Sequence, residues 1–248
     1  MQSPNHLLAR LSQDDFGVIS PHLERIDLPR NYELEFPGEP IEFVHFLERG
    51  IASVLTVGPS GDRLEAGILG REGMTGCALL HGADSVPLQT LMQIEGVGVR
   101  IAAQSLRDII VARPSLWLNL LLFSQAKFVQ VAYTARANGV HTVEQRLAAW
   151  ILMCHDRVDG NHLEMTHQFL AHLLGVRRAG ITTALHVLEG RGGVKSTRGL
   201  IEIRNRADLE DLAGAAYGTP EKEYERLLGS PRTSAAMRER NLTNTASV

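Results

Sequence analysis

The chain has 248 residues, 44% of them hydrophobic, and 25 Lys and Arg against 28 Asp and Glu give a formal net charge of −3. That length suffices for two domains with separate cores, and a net acidic chain is not an indiscriminate nucleic-acid binder. Cys77 and Cys154 are the only cysteines and form no CxxC pair, which leaves neither a disulfide framework nor a cysteine-held iron–sulfur cluster within one chain.

Leu7 to Leu23 reads as a helical lead-in that Pro29 ends, with Leu8, Leu11, Phe16 and Ile19 placed to pack on the next domain. From Ile26 to Ala102 the pattern becomes many short apolar or alternating runs, FVHFL, IASVLTV, LEAGIL, TLMQIEG and VGVRIA, separated by PGEP, GPSGD, GREGMTG and HGAD. Short strands with Gly, Pro and Asp turns predict a closed or sandwiched β fold, with GPSGD as a hairpin loop. Among the ten histidines, His45 and His81 lack the HxH pairing of a cupin-type metal site, and His162, His167 and His172 recur every five residues, missing the i, i+4 helical spacing. No metal, cofactor or catalytic constellation is expected. No apolar run reaches membrane-spanning length, and the first residues lack the long apolar block of a secretion signal, so a cytoplasmic protein is expected.

Leu106 to Ala112 predicts a short helix, and Pro114 suits the first turn of a longer one running through Asn138. At 1.5 Å per residue, ~25 residues span ~37 Å, more than one β domain requires. Trp117, Leu118, Leu121, Leu122, Phe128, Val129, Val131 and Ala132 are enough for two stripes, one against the β domain and one for a partner. Asn138 and Gly139 form a hinge. Beyond it, Thr142 with Gln145 has the form of a capping box, and Leu147, Trp150, Ile151 and Cys154 form one helical face.

Thr166 caps a helix whose face carries Phe169, Leu170, Leu173 and Leu174, Gly175 breaks it, and Ile181, Leu185 and Leu188 mark the inner face of a second helix. Two helices joined by a tight glycine turn, Gly175 to Arg177, make a helix-turn-helix pattern. Arg177 and Arg178 stand at the start of the second helix, where the macrodipole is already positive, so an outside anion is needed there. From Met1 to Val140 there are 11 Lys and Arg against 15 Asp and Glu, a balance of −4. From Asn161 to Arg206, Arg177, Arg178, Arg191, Lys195, Arg198, Arg204 and Arg206 face only Glu164, Glu189 and Glu202, a balance of +4. RGGVKSTRGLIEIR then reads as a two-stranded wing turning near Ser196 to Gly199, and Asp208 to Tyr217 as a helix anchored by Leu209 and Leu212. Beyond Tyr217 the chain is polar, and residues 219–248 are expected to form a mobile tail.

The stretch THQFLAHLLGVRRAGITTALHVL resembles the Crp/Fnr regulators, also called the cyclic AMP receptor protein family, without gaps from Thr166 through Val194. With the order of elements before it, the resemblance covers roughly residues 20 to 205. It implies an α+β protein with an N-terminal cyclic-nucleotide-binding-like β-roll, a long dimerisation helix and a C-terminal winged helix-turn-helix. The expected divisions are residues 1–138, 139–218 and 219–248. The resemblance further implies a homodimer on a two-fold operator in double-stranded DNA, RNA polymerase as a partner, and no enzymatic activity. Its DNA-contacting positions match Arg178, Ala179 and Thr183; beside them Thr166, His167, Gln168, Arg177 and Thr182, with Lys195 and Arg198 on the wing, are expected at the same interface. Arg178 is expected to read bases, and the wing residues to grip phosphate. Ala179 stands where the family carries an acidic residue, which implies an operator other than the family's usual half-site.

The family's nucleotide pocket uses a Gly-Glu pair for the ribose and an Arg-Ser or Arg-Thr pair for the phosphate. Here the first aligns with Gly76 and Cys77, and the second lands at Val86 to Gln89, so the carboxylate and the arginine are both missing. Cyclic AMP is therefore not the expected effector. The alternative is a protein-interaction or small-molecule-sensing β-roll protein whose helix-turn-helix does not read DNA specifically.

Overall fold

The computed structural model describes residues 3–229. Its first half is an antiparallel roll of β1 (Glu24–Leu28), β2 (Glu33–Glu35), β3 (Phe43–Val57), β4 (Arg63–Leu69) and β5 (Leu88–Ala102). The order is β1-β5-β3-β4, with β2 also on β5. The runs FVHFL and IASVLTV, which read as separate short strands, are one 15-residue strand β3, and the other pair is likewise the single strand β5. Glycine permits this: Gly50 has φ 89°, and a Cβ on Gly96 would stand 2.0 Å from the Arg49 carbonyl oxygen. Register shifts between Leu47 and Ile51 bend the paired strands there without ending them.

The lead-in is two helices, α1 (His6–Arg10) and α2 (Gln13–Ile19), with Leu7, Leu8 and Ile19 fully buried against the roll. Asn5 fastens α1 by accepting from Leu7 N and Leu8 N, while its side-chain amide donates to the Leu47 and Gly73 carbonyls at 2.8 Å. A buried asparagine is tolerated because its bonds are met. After the single turn α3 (Cys77–Leu80) come α4 (Ala103–Ala112) and the 27-residue α5 (Pro114–Val140). Helix α5 runs through the predicted hinge at Asn138 and Gly139 and breaks at His141. Its buried positions, Leu116, Leu120, Phe123, Ala126 and Gln130, recur at helical spacing. Leu118 and Phe128 on the other side are exposed.

The second half begins with α6 (Val143–His155), where the Thr142 and Gln145 capping box forms as read from sequence. It continues through β6 (His162–Leu163), α7 (His167–Leu173), α8 (Arg178–Gly190), β7 (Val194–Thr197), β8 (Leu200–Ile203) and α9 (Arg206–Ala213), with the small sheet ordered β6-β8-β7. Its core is not separate. Ile51, Leu55, Ile68 and Leu91 of the roll belong to the same buried cluster as Trp150, Leu170 and Ile181.

The expected tail is corrected over residues 219–228. They form α10 (Thr219–Leu228), which lies on α5, buries Pro220 and Leu228, and donates from the Tyr224 hydroxyl to the Glu72 carbonyl at 2.8 Å. Pro220, Tyr224 and Leu228 lie four apart on one narrow stripe, and the polar residues around them hide it in composition. Residues 230–248 of the expected tail lie outside the described residues. Among the described residues, no single helix is long and apolar enough to cross a membrane.

Candidate nucleic-acid interface

Thr166 caps α7 through its hydroxyl, which accepts from Phe169 N at 3.2 Å. The turn beyond α7 needs a left-handed residue, supplied by Gly175 at φ 63°, and its length places Arg177 as N-cap and Arg178 as the first residue of α8. Ile181, Ala184, Leu185 and Leu188 are buried, which turns Arg178, Ala179, Thr183 and His186 outward.

The +4 balance of this region resolves into two groups. Arg191 is paired with Asp208 and Asp211, Arg204 with Glu202, and Arg206 with Asp156 and Glu210. Arg177, Arg178, Lys195 and Arg198 are exposed and, among the described residues, in no ion pair. No acidic residue occupies the first turn of α8, and no side chain caps it, so its N-terminal N–H groups and two guanidiniums face outward together. The wing that carries Lys195 and Arg198 is pinned to α8 by Glu189, whose carboxylate accepts from Ser196 N at 2.7 Å.

The remaining candidates are placed differently. His167 is partly buried and bridges Thr182 (3.1 Å, Nδ1 to hydroxyl) and Ser196 (3.4 Å, Nε2 to hydroxyl), so it braces α7, α8 and the wing against one another. Thr182 and Thr183 donate back to the carbonyls of Arg178 and Ala179, which leaves the Thr183 oxygen to accept, while the Thr182 oxygen is already engaged by His167. Gln168 is exposed and lies 2.8 Å from His172. His186 is not among the residues that the sequence singles out by charge or motif. It lies four residues beyond Thr182 and eight beyond Arg178 on the outer face, so helical spacing alone is enough to find it.

In the roll, the Glu35 carboxylate accepts from Gly76 N at 2.8 Å and from the Thr90 hydroxyl. Burial, with Glu35 adding to it, pushes the neighbouring Cys77 thiol up to about 12.

An antiparallel β-roll, a long helix and a winged helix-turn-helix are together the architecture of the Crp/Fnr regulators. Residues 145–212 match the Crp-like helix-turn-helix domain family. FixK2 from Bradyrhizobium japonicum is similar in structure, at 18% identity and TM-score 0.66 over 77% of this chain and 96% of that one. A CRP/FNR-family transcriptional regulator from Thermus thermophilus is similar at 19% identity and TM-score 0.62, over 77% and 98%. The global nitrogen regulator of Synechocystis is 23% identical over 212 residues, 77% of this chain and 88% of that protein. The resemblance read from the sequence holds: the chain has the Crp/Fnr fold and carries a Crp-like helix-turn-helix domain.

Proposed function

We propose that this protein is a cytoplasmic transcriptional regulator, without enzymatic activity, that binds a two-fold symmetric operator as a homodimer and is not controlled by cyclic AMP. The observation that carries the reading is the set of four unpaired cations, Arg177, Arg178, Lys195 and Arg198, gathered at the start of α8 and on the wing. Arg178 reads base edges with Ala179, Thr182 and Thr183 beside it. Arg177, Thr166, Gln168 and the two wing cations contact the backbone, and His167 stands among them. The exposed Leu118 and Phe128 stripe of α5 supports pairing with a second copy, which a reader of two half-sites ~34 Å apart requires. Contact with RNA polymerase follows from the resemblance. The absence of an arginine from residues 86–89, where the family's cyclic phosphate is held, supports independence from cyclic AMP.

The test is selection of bound sequences from a random duplex pool by the purified protein, with and without cyclic AMP. A symmetric site enriched without the nucleotide is expected, with affinity falling steeply as salt rises through counterion release. Enrichment only with cyclic AMP would sink the effector reading, and no enrichment would favour an interaction module.

A further inference from the structure

A cavity of about 660 Å³ opens between the roll, α5, the end of α6 and α10, so both halves of the molecule build its walls. Gly76, Cys77 and Glu35 are not among its lining residues. Phe123, Tyr217 and Tyr224 give it aromatic surface, with Ile68 and Ala126 beside them. Its size and mixed lining are those of small-molecule sites.

The charges on the wall are unequally satisfied. Arg71 pairs with Asp159 at 3.1 Å, Arg157 with Glu72 at 2.7 Å and Arg206 with Asp156 at 2.8 Å. Lys127 has only neutral acceptors, the Ile68 carbonyl at 2.7 Å and Gln130 Oε1 at 3.1 Å, and among the described residues no carboxylate reaches ion-pair distance of its Nζ. An ammonium has three protons to donate, and two are used. Buried Arg71 Nε likewise lacks a hydrogen-bond partner, as does Glu72 Oε2 on the same wall. Burial and the nearby Arg157 push the Lys127 ammonium down to about 8, although Glu72 and Glu65 act to raise it from beyond ion-pair distance. The other wall carboxylates do not supply it: Glu221 accepts from Gly218 N at 2.9 Å at the start of α10, and Glu225 is exposed at the rim.

We propose that this interdomain cavity binds a small organic carboxylate with an apolar, ring-sized body, its anion held by Lys127 and its body among Phe123, Tyr217 and Tyr224. The ligand ties the roll to the winged domain by touching both. Any consequence for operator affinity rests on the DNA-binding reading above, whereas the binding itself does not.

The experiment is calorimetric titration of the full chain with three probes of one shape: 2-naphthoate, neutral 2-naphthamide and cationic 2-naphthylmethylamine. Naphthoate should bind about tenfold or more tighter than the amide, and Lys127→Met should erase that preference. Ala126→Phe fills the cavity while keeping the charge and should abolish naphthoate binding, with circular dichroism checking that each variant is folded. Equal binding of the three probes, no heat from any, or naphthoate binding unchanged in either folded variant overturns the proposal. No DNA enters the measurement, so failure here is distinguishable from failure of the regulator reading.

Discussion

The Trp150 indole N–H donates to the Glu65 carboxylate at 2.7 Å, joining α6 of the winged domain to β4 of the roll inside their common core. Ser53 donates to the other oxygen. Burial nevertheless raises the Glu65 carboxyl to about 7, against the lowering effects of those two bonds and of Lys127 and Arg157.

The sign of the resulting pH dependence follows from proton uptake. Between about pH 4.5 and 7 the folded state holds the Glu65 proton and the unfolded chain has lost it, so Glu65 makes stability fall as pH rises through that window. Denaturant unfolding should show this fall, and Glu65→Gln should flatten it, gaining about 2–3 kcal/mol at pH 8. A variant as pH-sensitive as the parent would assign the effect elsewhere.

Glu72 acts in the opposite sense. Burial alone would raise its carboxyl, but Arg157 at 2.7 Å holds it below the usual range. The stability it contributes is present above the ordinary carboxylate pKa and is lost as pH falls through its lower folded value. Glu72→Gln leaves Arg157 buried without its counter-ion and should cost about 3–5 kcal/mol at neutral pH, measured by denaturant unfolding.

At the proposed DNA interface, Arg178→Ala should cost ~1–3 kcal/mol on the selected operator and relax preference at one base pair. Lys195→Ala should weaken all sequences alike and reduce the salt slope by about one. Titrations on operator and scrambled duplexes separate the two; equal losses on both for Arg178 would remove its base-reading role.

Phe128 is 67% and Leu118 58% exposed on α5. Phe128→Asp should convert a dimer to a monomer in sedimentation analysis, because facing copies would bury two unpaired carboxylates. A parent chain that is itself monomeric at micromolar concentration would contradict the pairing.

Leu228 is 1% exposed at the end of α10. Leu228→Ala should lower stability by about 2–5 kcal/mol through lost burial and the cavity left behind. An unchanged melting temperature would mean that α10 adds little to the fold.

Local signals are legible wherever one residue type has a single local solution. Gly175 in its left-handed turn, the Thr142 and Gln145 capping box, Pro114 opening α5 and the outward arginines of α8 all follow from nearest-neighbour chemistry, and each appears where the sequence places it. Strands β3 and β5 each read as two because a glycine or charge in an apolar run looks like an end, whereas paired bulges let each strand bend and continue. Helix α10 is hidden in the sequence because its few apolar residues make a helix only when α5 offers a surface to cover.

The sequence by itself determined the capped and glycine-turned helices, the helix-turn-helix and the sign of its charge, since these depend on residues within a few positions of each other. Only the tertiary structure decided which arginines are spent on Asp and Glu partners, that Glu65 meets Trp150, and that Lys127 faces a cavity without a carboxylate to pair with. Burial and charge pairing are properties of groups brought together from 85 residues apart, as with Trp150 and Glu65, and no local pattern along the chain records that separation being closed.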